Sequence, residues 1–160
     1  MADEICPCGS ARGYDLCCGR LHAGISVAQS PEELMRSRYA AFVRRDAPYL
    51  LNTHHASTRS PQLAAGLQET FRTAHWIGLR VVGSGLEPAR EDRGWVEFVA
   101  FQGAPEYGQI HERSRFVRED GNWQYVDGRH LPELALDRNG PCVCGSGRKW
   151  KKCHGGASGA

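Results

Sequence analysis

The sequence predicts an α+β fold carrying a small metal-binding knob at each end. Three observations carry that reading. Apolar residues recur at helical spacing between positions 30 and 73, and from 76 to 126 they follow the alternation of half-buried strands. Helices followed by a run of strands indicate an antiparallel sheet rather than alternating βαβ units. A cysteine pattern near the start of the chain is repeated near its end.

The first copy reads Cys6-Pro-Cys8-Gly-Ser-Ala-Arg-Gly-Tyr-Asp-Leu-Cys17-Cys18-Gly, and the second reads Cys142-Val-Cys144-Gly-Ser-Gly-Arg-Lys-Trp-Lys-Lys-Cys153-His154-Gly. Each has two thiols one residue apart, eight intervening residues and a closing pair. Each also places an aromatic, Tyr14 or Trp150, six residues after its second Cys. Four thiolates in one copy, and three thiolates with an imidazole in the other, are the donor sets of closed tetrahedral zinc. The close pair suits a tight turn supplied by Gly-Ser, and a short helical segment returns the second pair over the metal. Four protein donors leave no position for water, which makes both sites structural. His22 is an alternative fourth ligand in the first copy, because adjacent Cys17 and Cys18 must both bend to one ion. The vicinal pair is preferred, since Cys153 and His154 occupy the same place in the second copy.

This pattern resembles the SEC-C motif, the zinc-binding tail of the preprotein-translocase ATPase SecA. With a motif at each end and Pro-Glu-Glu-Leu-Met-Arg-Ser-Arg-Tyr-Ala-Ala-Phe between them, the chain further resembles the bacterial YchJ family. The resemblance implies that the centre is a nuclear-transport-factor-two-like (NTF2-like) cone, helices packed on a curved antiparallel sheet. The expected organisation is a zinc motif over 1–24, the α+β domain over 30–130 and a second zinc motif over 138–160. Two structural zinc ions per chain are expected.

The 160 residues suit one domain with additions, and 41% hydrophobic with 24% charged is an ordinary globular balance. No apolar run approaches the length needed to span a bilayer, and the acidic Met1-Ala-Asp-Glu start does not read as a signal peptide. Clustered thiols of this kind point to the reducing cytoplasm. The net charge of +2 is unevenly placed: residues 138–160 carry +5 and the remainder −3. Arg148, Lys149, Lys151 and Lys152 are therefore candidates for contact with an acidic partner, the alternative being a solvated turn.

Ser30-Pro31-Glu32-Glu33 is a helix start, with Ser as N-cap and Pro at the first helical position. Met35, Tyr39, Phe42 and Val43 form the apolar face of that helix, with Arg38 and Arg45 on its flank. Asp46-Ala-Pro48 can cap a short second helix to Asn52. Ser60-Pro61 opens a third, carrying Leu67 and Phe71. Strands are expected over 76–82, 95–101, 109–118 and 123–126, with turns at Gly83-Ser-Gly85, at Glu119–Asn122 and from Asp127-Gly128. The expected core is Met35, Tyr39, Phe42, Leu67, Phe71, Trp76, Leu79, Val81, Val96, Phe98, Phe116, Trp123 and Tyr125.

Groups in the centre able to do acid–base chemistry are Glu97, His111, Glu112 and Asp127 on strands and His54 and His55 on a loop. Alternation leaves open which face Glu97 takes, and Arg113, Arg115 and Arg118 near Glu112 suggest a charge ladder on a solvated face. No nucleophile elbow, phosphate loop or metalloprotease helix is present, and finger spacing for duplex DNA is absent. The expected function is binding: an adaptor that docks its knobs on a protein or ribonucleoprotein partner, without sequence-specific DNA reading or membrane insertion. The alternative is a small-molecule binder or enzyme using the cone. A filled cone with an exposed basic knob would favour the first, and an apolar cavity with convergent polar groups the second.

Overall fold

The computed structural model describes residues 4–104 and 106–157. Chain order is α1 (Cys18–His22), α2 (Pro31–Arg44), α3 (Ala47–Asn52), α4 (Leu63–Thr73), β1 (His75–Glu87), β2 (Arg90–Ala104), β3 (Gly108–Glu119), β4 (Asn122–His130) and α5 (His154–Ala157). Ser30 caps α2 by accepting from Glu33 N at 3.1 Å, and the Glu33 carboxylate accepts from Gln29 N in return. The helix ends on Arg45 in the left-handed conformation (φ 60°), after which Asp46 caps α3 by accepting from Tyr49 N. No described helix is long and apolar enough to cross a membrane.

The four strands form one antiparallel meander in the order β1-β2-β3-β4. Register shifts interrupt β1 at several points and β3 between Arg115 and Phe116. Such bulges bend strands, and the bent sheet cups α2 against one face. Val96, Phe98, Ala100, Phe116 and Trp123 there join Leu34, Met35 and Tyr39 of α2 in the main core. A second cluster joins Ala41 of α2 to Leu50, Leu67 and Phe71, and a third joins Ala40 to the four N-terminal cysteines.

Several expectations are corrected. Gly83-Ser84-Gly85 is not a turn, because β1 runs through it to Glu87. Both glycines lie under the Trp95 indole, where a Cβ on either would stand 3.2–3.4 Å from the ring. Glycine is there to seat a flat side chain. Asp127-Gly128 likewise lies inside β4, and the ladder continues to His130. The turn between β3 and β4 uses Asp120 and Gly121, both at positive φ, as a two-residue hairpin requires. Ser60 does not cap α4; Gln62 stands at that position without a side-chain cap. Val99 and Phe101 are core residues missing from the sequence reading, and they lie on the sheet face away from α2.

Their burial has a visible cause. Residues 131–154 fold back over that face: Leu131 N donates to His111 O, and the Gln109 side chain exchanges two hydrogen bonds with the Leu134 backbone. Gly78 admits the crossing chain, since a Cβ there would stand 2.3 Å from Val143 O. The N-terminal knob packs as closely. Arg36 donates to Cys8 O at 2.8 Å, Arg44 lies over the Tyr14 ring, and Arg20 pairs with Glu33. Neither knob is a free appendage.

Candidate metal centres and a central cavity

The two cysteine motifs share one local structure. Cys6 N donates to Arg12 O at 2.8 Å in the first, and Cys142 N donates to Arg148 O at 2.8 Å in the second. Tyr14 N closes on Glu4 O as Trp150 N closes on Gly140 O. Ser10 and Ser146 each accept from the backbone two residues on and approach the third ligand sulfur, Cys17 or Cys153. Gly9 and Gly145 take positive φ in both, and Ala11 holds at φ 63° the position that Gly147 holds at φ 79°. The repeat in the sequence is a repeat in space.

Each motif gathers its four side chains so that one donor atom from each lies within 4.8 Å of the others: Cys6, Cys8, Cys17 and Cys18, and Cys142, Cys144, Cys153 and His154. In a tetrahedron with zinc–sulfur bonds near 2.3 Å, the sulfur–sulfur edge is about 3.8 Å and the sulfur–imidazole edge about 3.6 Å. Here Cys8–Cys17 is 3.6 Å, Cys17–Cys18 4.0 Å and Cys144–Cys153 3.7 Å. His154 Nδ1 stands 3.3 Å from Cys142 and 3.4 Å from Cys153. Geometry and donor chemistry therefore fit a four-coordinate metal ion at each end.

Within each cluster the thiols divide in their readiness to ionise: Cys8 and Cys144 are lowered, whereas Cys6, Cys18 and Cys142 are raised. A hydrogen bond from the Cys18 thiol, with help from Ser10, brings Cys8 down to about 4 against the cost of burial, while burial pushes Cys6 up to about 11. Burial also resists ionisation of Cys144, but the Ser146 hydroxyl and backbone outweigh it and bring that thiol to about 6.

His22 takes no part. Its Nδ1 meets Tyr14 Oη at 2.6 Å and its Nε2 meets Ser37 O at 2.8 Å, so one ring nitrogen ties α1 to the knob's own Tyr14 and the other ties it to α2. The four N-terminal thiols are all buried, whereas only Cys142 of the second set is. Arg148, Lys149 and Lys152 are exposed and Lys151 is half-buried; none joins an ion pair among the described residues.

The acid–base candidates fall in separate places. Glu97 and His111 meet on the sheet face away from α2, with Glu97 Oε1 2.8 Å from His111 Nε2 and Pro132 O 2.7 Å from Nδ1. Asp127 forms a two-pronged pair with Arg115. His55 meets Glu119 at 2.9 Å. Glu112 is not part of the outer ladder. It lies on the inner face, where its Oε1 accepts from Ser114 Oγ at 2.7 Å and from Tyr125 Oη at 3.3 Å.

Glu112 looks into a cavity of about 320 Å³ between the sheet and the helices. Met35, Tyr39 and Phe42 of α2, Leu67 of α4, and Trp76 and Phe98 of the sheet supply its apolar wall. Arg38, His54 and Tyr125 reach it as well. Arg38, expected on the flank of its helix, is 5% exposed. Its Nη1 donates to Leu50 O at 2.9 Å and Thr53 Oγ1 at 2.7 Å, and its guanidinium stacks 4.7 Å over the Tyr125 ring. Burial lowers its pKa to about 10, which leaves it protonated near neutrality. Burial first, and the Arg38 charge second, hold His54 below the ordinary histidine range, so it is neutral there.

A curved meander with helices in its cup and two metal-type cysteine knobs defines an NTF2-like protein with paired SEC-C motifs. Residues 30–128 match the model of the YchJ middle NTF2-like domain, and residues 4–20 and 138–156 match the SEC-C motif. The chain belongs to the YchJ family. It is similar to a SEC-C motif containing protein from Rhodopseudomonas palustris solved in solution, at 37% identity and TM-score 0.72 over 81% of this chain and 100% of that one. A crystal structure of a SEC-C motif containing protein from Psychrobacter arcticus is 27% identical, with TM-score 0.66 over 95% of this chain and 96% of that one.

Proposed function

We propose that this chain is a binding protein stapled by two structural zinc ions, and that its C-terminal knob docks on an acidic protein or ribonucleoprotein surface. One observation carries the docking. The C-terminal metal donors turn inward while Arg148, Lys149 and Lys152 stand exposed without carboxylate partners among the described residues. The first knob has the same backbone but places Arg12, Gly13, Asp15 and Leu16 at the corresponding positions, and its thiols are buried against α2. The first knob thus serves the fold, and the second presents charge.

Pull-down from cell extract with wild type and with K149E/K151E/K152E tests this. The variant keeps both metals, since none of the three is a donor, and loses the partner. Retention at unchanged affinity and salt dependence would make the basic run a solvated turn. For a nucleic-acid-bearing partner, affinity falls steeply with salt through counterion release; a protein surface gives a shallower slope.

The basic knob is exposed as the docking reading expects, but the cone is not filled, and its cavity supports a second reading, that the centre also holds a small molecule. Its apolar wall and convergent Arg38, His54, Glu112 and Tyr125 are the arrangement of a ligand site rather than a filled core.

A further inference from the structure

Arg38 is an unusual thing to find inside this domain. None of the ion pairs among the described residues involves it. Its one committed nitrogen, Nη1, faces a carbonyl and a hydroxyl, both neutral, and Nε and Nη2 have no hydrogen-bond partner among the described residues. Neither nitrogen is sealed in protein either, for among the described residues the one buried side-chain polar atom lacking a partner is Trp123 Nε1. The free edge of the guanidinium therefore opens on the cavity that Arg38 lines. Glu112 acts on this charge through space but makes no direct ion pair with it, so the desolvated guanidinium still lacks a hydrogen-bonded anion, which an incoming carboxylate would supply.

Resting on the reading that the cavity takes a ligand, we infer that the ligand is a small, mostly apolar monocarboxylic acid whose carboxylate pairs with Arg38. The planar fork of a guanidinium matches a carboxylate bidentately, and here Nε and Nη2 form the available edge. Glu112, close enough to act on Arg38 through space, limits the charge. Glu112 is fixed by Ser114 and Tyr125, and Gly128 makes room for it, since a Cβ at Gly128 would stand 1.8 Å from Glu112 Oε1. A carboxylate held there repels a doubly charged head group, so phosphate esters are disfavoured against single-charged acids. Neutral His54 adds no second cation. Phe42, Leu67, Trp76 and Phe98 accept the tail by apolar burial.

Calorimetric titration of the full-length, metal-loaded protein with octanoate, octanamide, octylammonium and octyl phosphate tests this without any mutation. Octanoate is expected to bind about tenfold or more tightly than octanamide, the worth of one charge-assisted hydrogen-bonded contact, and more tightly than the phosphate; the ammonium is expected not to bind. Arg38→Met should abolish the preference for octanoate over octanamide. If that variant fails to fold, the wild-type comparison still decides. Equal binding of acid and amide, or tighter binding of the phosphate, would overturn the assignment of the head group while leaving the cavity a ligand site. Absence of binding by all four at millimolar concentration would overturn the assignment and the ligand reading together.

Discussion

His111 is held from both sides. Burial opposes its protonation, but the Pro132 carbonyl and the Glu97 carboxylate outweigh it and raise its pKa above the usual 6.5. A histidine raised on folding contributes stability that is fully present below its unfolded pKa and fades as pH climbs through the folded one. The C-terminal arm should therefore loosen between pH 6.5 and the folded pKa. Histidine NMR titration should give His111 a pKa above the free value, and Glu97→Gln should bring it back down. In His111→Gln the loss of thermal stability across that window should disappear; an unchanged pH profile would remove His111 as the cause. Gly128 makes a second point at this scale. Gly128→Ala must swing Glu112 away from Ser114 and Tyr125, at a cost on the order of 1–3 kcal/mol if the freed groups stay buried.

How legible such residues are depends on how local their reasons are. The two four-residue clusters were legible from spacing and the internal repeat, because donors close in sequence need little tertiary information. The choice between His22 and the Cys17–Cys18 pair stayed open in the sequence, since it turns on both His22 ring nitrogens being engaged elsewhere. Glu112 was readable in principle, since placing Ile110, Ser114 and Phe116 on the inner face puts Glu112 there too. Arg38 was not. Its burial depends on the Leu50 carbonyl, Thr53 and the Tyr125 ring, which come from α3, from the residue that ends it and from the last strand. Gly83 and Gly85 read as a turn because glycine breaks strands more often than it seats an indole from a neighbouring strand.

Among elements, the two knobs are built alike and docked differently, and loss of a donor should separate them. Cys144→Ser should remove one metal and leave the other, because the sites share no ligand. Cys8→Ser should also remove one metal but lower the melting temperature more, since Cys8 packs against Ala40 and its carbonyl receives Arg36. Elemental analysis with thermal unfolding checks both; equal melting temperatures would mean that the N-terminal knob contributes little to the domain. Gly78→Ala offers a metal-neutral counterpart. It forces the Val143 backbone off β1 and should cost on the order of 2 kcal/mol with both metals retained.

For the molecule as a whole, the sequence divides into a centre over 30–130 and a metal-type motif at each end. The docking of both knobs sets what chelation should do. Structural zinc supplies on the order of 10 kcal/mol to a motif of this kind, and here part of that motif is the cover of α2. Stripping the metal should therefore shift the melting of the central domain, read by near-ultraviolet tryptophan signals, by several degrees or more. An unshifted central transition with melted ends would mean that the knobs are independent.

Helix α2 stands in all three hydrophobic clusters of the described residues: Leu34, Met35 and Tyr39 in the main core, Ala40 in the cluster of the thiols, Ala41 with residues of α3 and α4. A helix shared in this way leaves no cluster able to come apart by itself. Cooperativity is the consequence. The metal-loaded protein should unfold in one calorimetric transition, with van't Hoff and calorimetric enthalpies in agreement, although its sequence reads as three consecutive pieces.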